Sequence, residues 1–168
     1  MQDILDYSLA AAMPVASAGR VADYIPALAS ASGMAGGASI VTVSGEVLEA
    51  GDSDCRFTIQ SISKVFALAY VMETAGETAV FSRVGQEPSG DPFNSIIRLE
   101  TSAGKRPYNP LINAGAIVVS SLMPGSSTTD RLDGFMEFVR RLFGRNDVEM
   151  DTVVRESEKA TANRNRSI

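Results

Sequence analysis

The run Phe57-Thr58-Ile59-Gln60-Ser61-Ile62-Ser63-Lys64-Val65-Phe66-Ala67-Leu68-Ala69-Tyr70-Val71-Met72 changes character halfway along. Residues 56–59 are short, β-prone and predicted to be extended. From Val65 to Met72 the apolar residues follow one another without alternation, a helix is read from Ser61 to about Ala75, and Gly76 comes next. An extended piece that passes directly into a helix closed by glycine is the reading. Ser61 then stands at the head of a largely apolar helix, with Lys64 one turn on and on the same face.

That placement has chemical consequences. A serine hydroxyl is a poor nucleophile until a base takes its proton. A neutral lysine amine can serve if its pKa falls well below the reference of about 10.4. Burial does this by disfavouring the ammonium form. The positive end of a helix acts in the same direction and favours negative charge on the serine oxygen. Ser61 and Lys64 are therefore the candidate nucleophile and base. Ser102-Ala103-Gly104-Lys105 repeats the spacing, but in a polar stretch with an internal glycine and nothing apolar to dry the amine.

Outward from this segment, the strand signals lie upstream. Residues 39–43 and 46–50 are β-rich and meet at Ser44-Gly45, a hairpin signal. Before them, Ile4, Leu5, Leu9 and Met13 give a helical pattern that meets Pro14, and residues 21–28 read as a short helix interrupted at Pro26. Downstream, residues 84–110 read as ordered loop with short helical turns. Residues 113–122 are apolar on all sides and fit a buried helix or a strand equally. Leu132, Phe135, Met136, Val139, Leu142 and Phe143 recur at helical spacing before Gly144. A last helix is predicted over 148–161, with Met150, Val153 and Val154 inward, and then a polar tail. The fold class is α/β of the α+β type: two or three antiparallel strands flanked by helices, a sheet short of strands.

Composition narrows the chemistry. The 168 residues are 45% hydrophobic, which suits one globular domain. There is no histidine, so a Ser-His-Asp triad and a histidine-rich zinc site are both excluded. A net charge of -5 argues against nucleic acid as a partner. No apolar run reaches the ~18 residues of a membrane span. Residues 8–19 have the small side chains of a leader but follow Asp3 and Asp6 rather than basic residues, so no leader is expected. Cys55 is the single cysteine, which agrees with a cytoplasmic setting and an inert thiol.

The segment from Phe57 to Lys64 resembles the nucleophile segment of the serine-dependent glutaminases. Three further stretches resemble that family in the same order. They are Gly19-Arg20-Val21-Ala22-Asp23-Tyr24-Ile25-Pro26, then Val84-Gly85-Gln86-Glu87-Pro88-Ser89-Gly90-Asp91-Pro92-Phe93-Asn94, then Asn109-Pro110-Leu111-Ile112-Asn113-Ala114-Gly115-Ala116-Ile117-Val118-Val119. The resemblance implies a fold similar to serine β-lactamases and penicillin-binding proteins, incomplete in this chain. Residues 1–168 would be the N-terminal part of a single glutaminase domain. It also implies hydrolysis of L-glutamine to L-glutamate and ammonia through a seryl acyl-enzyme, with neither metal nor cofactor.

By the same resemblance Ser61 is the nucleophile and Lys64 its activating partner. Asn113, Glu158 (followed by Arg164-Asn165) and Asn165 match substrate ligands, and Tyr24 and Gln60 match positions beside the substrate. An anionic group for the ammonium and donors for the carboxylate and amide are what a zwitterionic substrate needs. Each residue also has an ordinary alternative: Glu158 as an exposed helix residue, Asn113 as a helix cap, Asn165 as part of a loose end. The stretch 87–94 is read as structural rather than as a lid, since its prolines and glycine fix backbone and supply no base. The family domain continues beyond the equivalent of Ile168 with tyrosines and a second oxyanion donor, so weak or absent turnover is expected of these residues alone. A cytoplasmic homo-oligomer is the family-level expectation. Two other readings compete: a β-lactam-recognising Ser-x-x-Lys acyltransferase, which lacks Lys-Thr-Gly and Ser-Asp-Asn here, and a non-catalytic ligand-binding or assembly remnant.

Overall fold

Thr42 decides where the hairpin turns. Its hydroxyl accepts from the Glu46 N–H at 3.0 Å, its N–H donates to Glu46 O, and its carbonyl accepts from Gly45 N–H. Val43 and Ser44 take the corner, and Gly45 follows at φ 85, a left-handed value that glycine adopts without a Cβ penalty. The turn consumes residues 42–46, so the strands are β1 (Gly37–Val41) and β2 (Val47–Gly51), displaced from the runs predicted by propensity. They pair antiparallel with Ile40 opposite Leu48 and Ala38 opposite Ala50. A computed structural model provides these coordinates and describes residues 1–92, 94–95 and 106–167.

The chain forms two compact units. The first comprises Met1–Thr58 and Asp151–Thr161, the second Ile59–Met150 and Ala162–Ile168. In the first, α1 (Gln2–Ala16) lays Leu5 and Leu9 on Leu48, Ala50 and Ala38, and Gln2 Nε2 donates to Glu49 O at 2.8 Å. This helix continues past Pro14. The proline lies in the last turn, where only one ladder bond is lost, and Ser17 Oγ donates to the Pro14 carbonyl. Pro26 does not interrupt a helix but begins a 3₁₀ turn, Pro26–Leu28, its fixed φ suiting a first position. On that turn rests α6 (Thr152–Thr161), with Ser157 Oγ accepting from Ala27 N–H at 3.1 Å and Val154 buried.

In the second unit, α2 (Ser63–Ala75) is central. Ala67 and Val71 pack with Val80 of α3 (Glu77–Phe81), with Val84, and with Val119 of α4 (Asn113–Ser121). Tyr70 packs with Phe138 and Val139 of α5 (Thr128–Phe143), the two rings 5.2 Å apart. Of residues 113–122, ambiguous by periodicity, Asn113–Ser121 are helical. The prediction for α5 holds, and Gly144 ends it in the left-handed conformation at φ 62.

Further expectations are corrected. Residues 56–59 are not a strand: the sheet has only β1 and β2 among the described residues, and the backbone at Ile59 is already helical. Ser61 lies in a 3₁₀ turn, Gln60–Ile62, before α2 begins. The helix predicted over 148–161 begins at Thr152 because Asp151 accepts from Val154 N–H, and Val153 is 72% exposed rather than inward. The tail forms a short helix, α7 (Asn163–Arg166).

Candidate active site

Gln60 is the one non-glycine residue with positive φ among those described, at 45°. Such a backbone costs roughly 1–2 kcal/mol for an L-residue. The turn holds it: Ile62 N–H donates to Ile59 O, and Ser63 Oγ donates to Gln60 O at 2.6 Å. The result places Ser61 exposed at the entrance to α2 and Lys64 half-buried in its first turn. Both stand at the positive end of the helix, where developing oxyanion charge is favoured and ammonium charge is not.

The Lys64 amine reaches α4. Its Nζ donates to Asn113 Oδ1 at 2.7 Å and to Leu111 O at 3.0 Å, and Asn113 Nδ2 donates to Asn165 Oδ1 at 2.9 Å. These acceptors of the amine are neutral oxygens, so neither contact demands the ammonium form. Asn113 does not cap α4; Ile112 is the cap residue and contributes no side-chain bond. The amide instead faces sideways, joining Lys64 to Asn165.

Ser61, Gln60, Lys64, Asn113 and Asn165 thus belong to the second unit. Tyr24 and Glu158 belong to the first, both exposed, Glu158 on α6 with its carbonyl accepting from Thr161 Oγ1. Ser102 and Lys105 lie outside the described residues. Of the stretch 87–94, the Glu87 carbonyl accepts from Asn109 Nδ2 at 3.0 Å. Cys55 is exposed. Among the described residues no three His, Cys, Asp or Glu side chains gather as a metal site would need, and no helix is long and apolar enough to cross a membrane.

Two participants escaped the sequence analysis. The Leu111 carbonyl holds Lys64, and a backbone acceptor carries no residue-type signal. Asn109 accepts from Leu111 N–H and Ile112 N–H at 3.0 and 3.1 Å. The Asn-Pro pair at 109–110 was its available signal, a dipeptide that favours such side-chain-to-backbone turns.

The Glutaminase family profile matches residues 19–168. Glutaminase 2 of Bacillus subtilis is 46% identical over 166 residues, which is 99% of this chain and 54% of that protein. The glutaminase of Geobacillus thermodenitrificans is 46% identical over 150 residues, covering 89% of this chain and 48% of its own length. The chain spans about half the length of the curated relatives it matches. Among solved structures, a probable glutaminase from Bacillus subtilis complexed with 6-diazo-5-oxo-L-norleucine superposes with a TM-score of 0.85 at 31% identity, covering 99% of this chain and 49% of that one. A second, Mglu in its glutamate form, gives 0.88 at 39% identity, covering 99% of this chain and 38% of that one.

Proposed function

We propose that this chain, which belongs to the Glutaminase family, is the N-terminal part of a single domain that hydrolyses L-glutamine to L-glutamate and ammonia. The observation that carries the reading is the Lys64 amine, one turn beyond Ser61 at a helix entrance and donating to the Asn113 side chain and the Leu111 carbonyl.

The reaction then runs in two halves. Ser61 Oγ attacks the side-chain amide carbon of glutamine while its proton passes to Lys64 Nζ. Charge gathers on the former carbonyl oxygen, with the Ser61 N–H at the head of α2 as one donor to it. Lys64 returns the proton to the amide nitrogen, the C–N bond breaks, and ammonia leaves a γ-glutamyl ester on Ser61. Water attacks the ester with Lys64 again taking a proton, and glutamate departs as Oγ is reprotonated. Asn113 keeps one N–H and one lone pair beyond its two bonds to offer the substrate. The roles of Glu158 toward the α-ammonium, of Asn165 toward the polar groups, and of Tyr24 and Gln60 beside the substrate rest on the motif resemblance. A homo-oligomeric, cytoplasmic protein is part of the same proposal.

Ammonia release from glutamine, assayed on the full product of the reading frame, tests it. Ser61→Ala lowers kcat by about four orders of magnitude or more, and Lys64→Ala by roughly 10²–10⁴. Ser102→Ala leaves it nearly unchanged. Incubation with 6-diazo-5-oxo-L-norleucine places the adduct on the Ser61 peptide. Loss of turnover in Ser102→Ala but not in Ser61→Ala defeats the assignment. Labelling of Ser61 by penicillin without glutamine turnover transfers it to the β-lactam class. The 168-residue chain alone turns over weakly, since the relatives it matches are about twice its length.

A further inference from the structure

We propose that Asn109 is a positioning residue for the Lys64 amine, acting through the Leu111–Ile112 peptide; the inference deepens the glutaminase reading and rests on it. That peptide is gripped at both ends. Its N–H, from Ile112, donates to Asn109 Oδ1 at 3.1 Å, and its carbonyl, from Leu111, accepts from Lys64 Nζ at 3.0 Å. In a planar trans peptide the N–H and C=O point in opposite directions, so fixing one fixes the aim of the other. Asn109 therefore sets the direction from which Lys64 is held.

The grip is anchored on its far side. Asn109 Nδ2 donates to Glu87 O at 3.0 Å, and the segment around Glu87 is tied to the same loop by Gly85 N–H to Pro107 O and Glu87 N–H to Tyr108 O. Asn109 Oδ1 also takes the Leu111 N–H. Accepting from two successive N–H groups while donating to a carbonyl is work for a side-chain amide; a carboxylate accepts only and an ammonium donates only. Asn113, which also accepts from Lys64, follows Ile112 directly, so both of these contacts to the amine descend from this turn.

Orientation matters to the chemistry. The Leu111 and Asn113 oxygens each take a hydrogen of the amine and so constrain where its nitrogen lies and how it is turned. Misplacing a reacting group by about 1 Å can cost up to 10²-fold in rate.

The test uses trace acetylation with N-hydroxysuccinimidyl acetate, read by peptide mass spectrometry as the Lys64-to-Lys159 ratio, Lys159 being an exposed reference. Asn109→Ala, shown folded by circular dichroism, raises the ratio about threefold or more, the factor for losing one ordinary hydrogen bond. Asn109→Asp raises the ratio less than Asn109→Ala, because a carboxylate oxygen still accepts both N–H groups although the donation to Glu87 O is lost. In the turnover assay Asn109→Ala lowers kcat about tenfold or more with KM held within about twofold. A folded Asn109→Ala with an unchanged ratio overturns the assignment, as does Asn109→Asp disturbed as much as Asn109→Ala. If Asn109→Ala does not fold, Asn109→Leu, which likewise offers no acceptor, takes its place under the same criterion. The acetylation ratio needs no turnover, so failure of the unmodified protein to hydrolyse glutamine counts against the glutaminase reading alone.

Discussion

Gly115 shows how closely the turn before α4 is packed. A Cβ there would meet the Asn109 carbonyl and lie 3.0 Å from Pro110 Cα. Alanine would raise helix propensity by about 1 kcal/mol, but backbone atoms cannot yield as a flexible side chain does. Overpacking costs about 1–3 kcal/mol and occasionally more, so the clash wins. Gly115→Ala is expected to lower the urea midpoint, and a midpoint at or above that of the unmodified chain would contradict the contact. At Gln60 the sign reverses for glycine: φ 45 is strained for glutamine, so Gln60→Gly is tolerated in stability while β-branched Gln60→Val is not. The same scale shows what a sequence exposes. Ser61 and Lys64 announce themselves because hydroxyl and amine are chemically distinct types at a meaningful spacing. Asn109 does not, because its work is done on N–H groups that every residue carries.

Between residues and the whole lies the element, and α5 is the one whose sequence is most explicit. Ser127 caps it, its side chain accepting from Asp130 N–H, while the Asp130 carboxylate accepts from Ser126 N–H at 3.1 Å, from Ser127 N–H at 3.0 Å and from the Ser126 hydroxyl. The Ser126 side chain foremost, then Ser127, holds that carboxyl below its ordinary value of 3.8. A folded pKa below the unfolded one means stability that is present above about pH 3.8 and lost as pH falls through the folded value. Thermal midpoints measured down the acid range should therefore fall less steeply for Asp130→Asn than for the unmodified chain. Parallel curves would remove Asp130 from the acid response. Ser127→Ala, losing the cap itself, costs about 1 kcal/mol. This helix was legible because its period and the closing Gly144 agree, whereas the Ser127 cap emerged only from the structure. The hairpin was legible in kind but not in register, since a Thr42 side-chain bond decided where the strands stop. Residues 56–59 misled because β propensity describes a residue on a pleated surface, and no ladder includes them here.

For the molecule as a whole, the two units differ in what they can bury. The second surrounds α2 with Val71, Val80, Val84 and Val119 at 1% exposure or less, while the core of the first around its sheet is Leu5, Leu48 and Ala50. Two strands are few for a sheet to stand alone in water. Amides of β1 and β2 are therefore expected to exchange with deuterium faster than those of Ala67, Tyr70 and Val71, a result that equal protection would reverse. The hairpin also bears exposed apolar residues on the face away from α1. Val41 and Val47 face one another across the ladder at 67% and 55% exposure, and Val43 at the corner is fully exposed. Strand edges beside exposed valines favour chain-to-chain pairing, whereas opposite charges facing across a ladder preserve the hairpin and discourage it. The pair Val41→Lys with Val47→Glu should shift the thermal midpoint little, since surface changes usually stay within about 0.5 kcal/mol. Sedimentation should show its weight-average mass rising less with concentration than that of the unmodified chain. If mass and concentration dependence are the same in both, association of this chain does not run through the hairpin, and its exposed apolar face is inert.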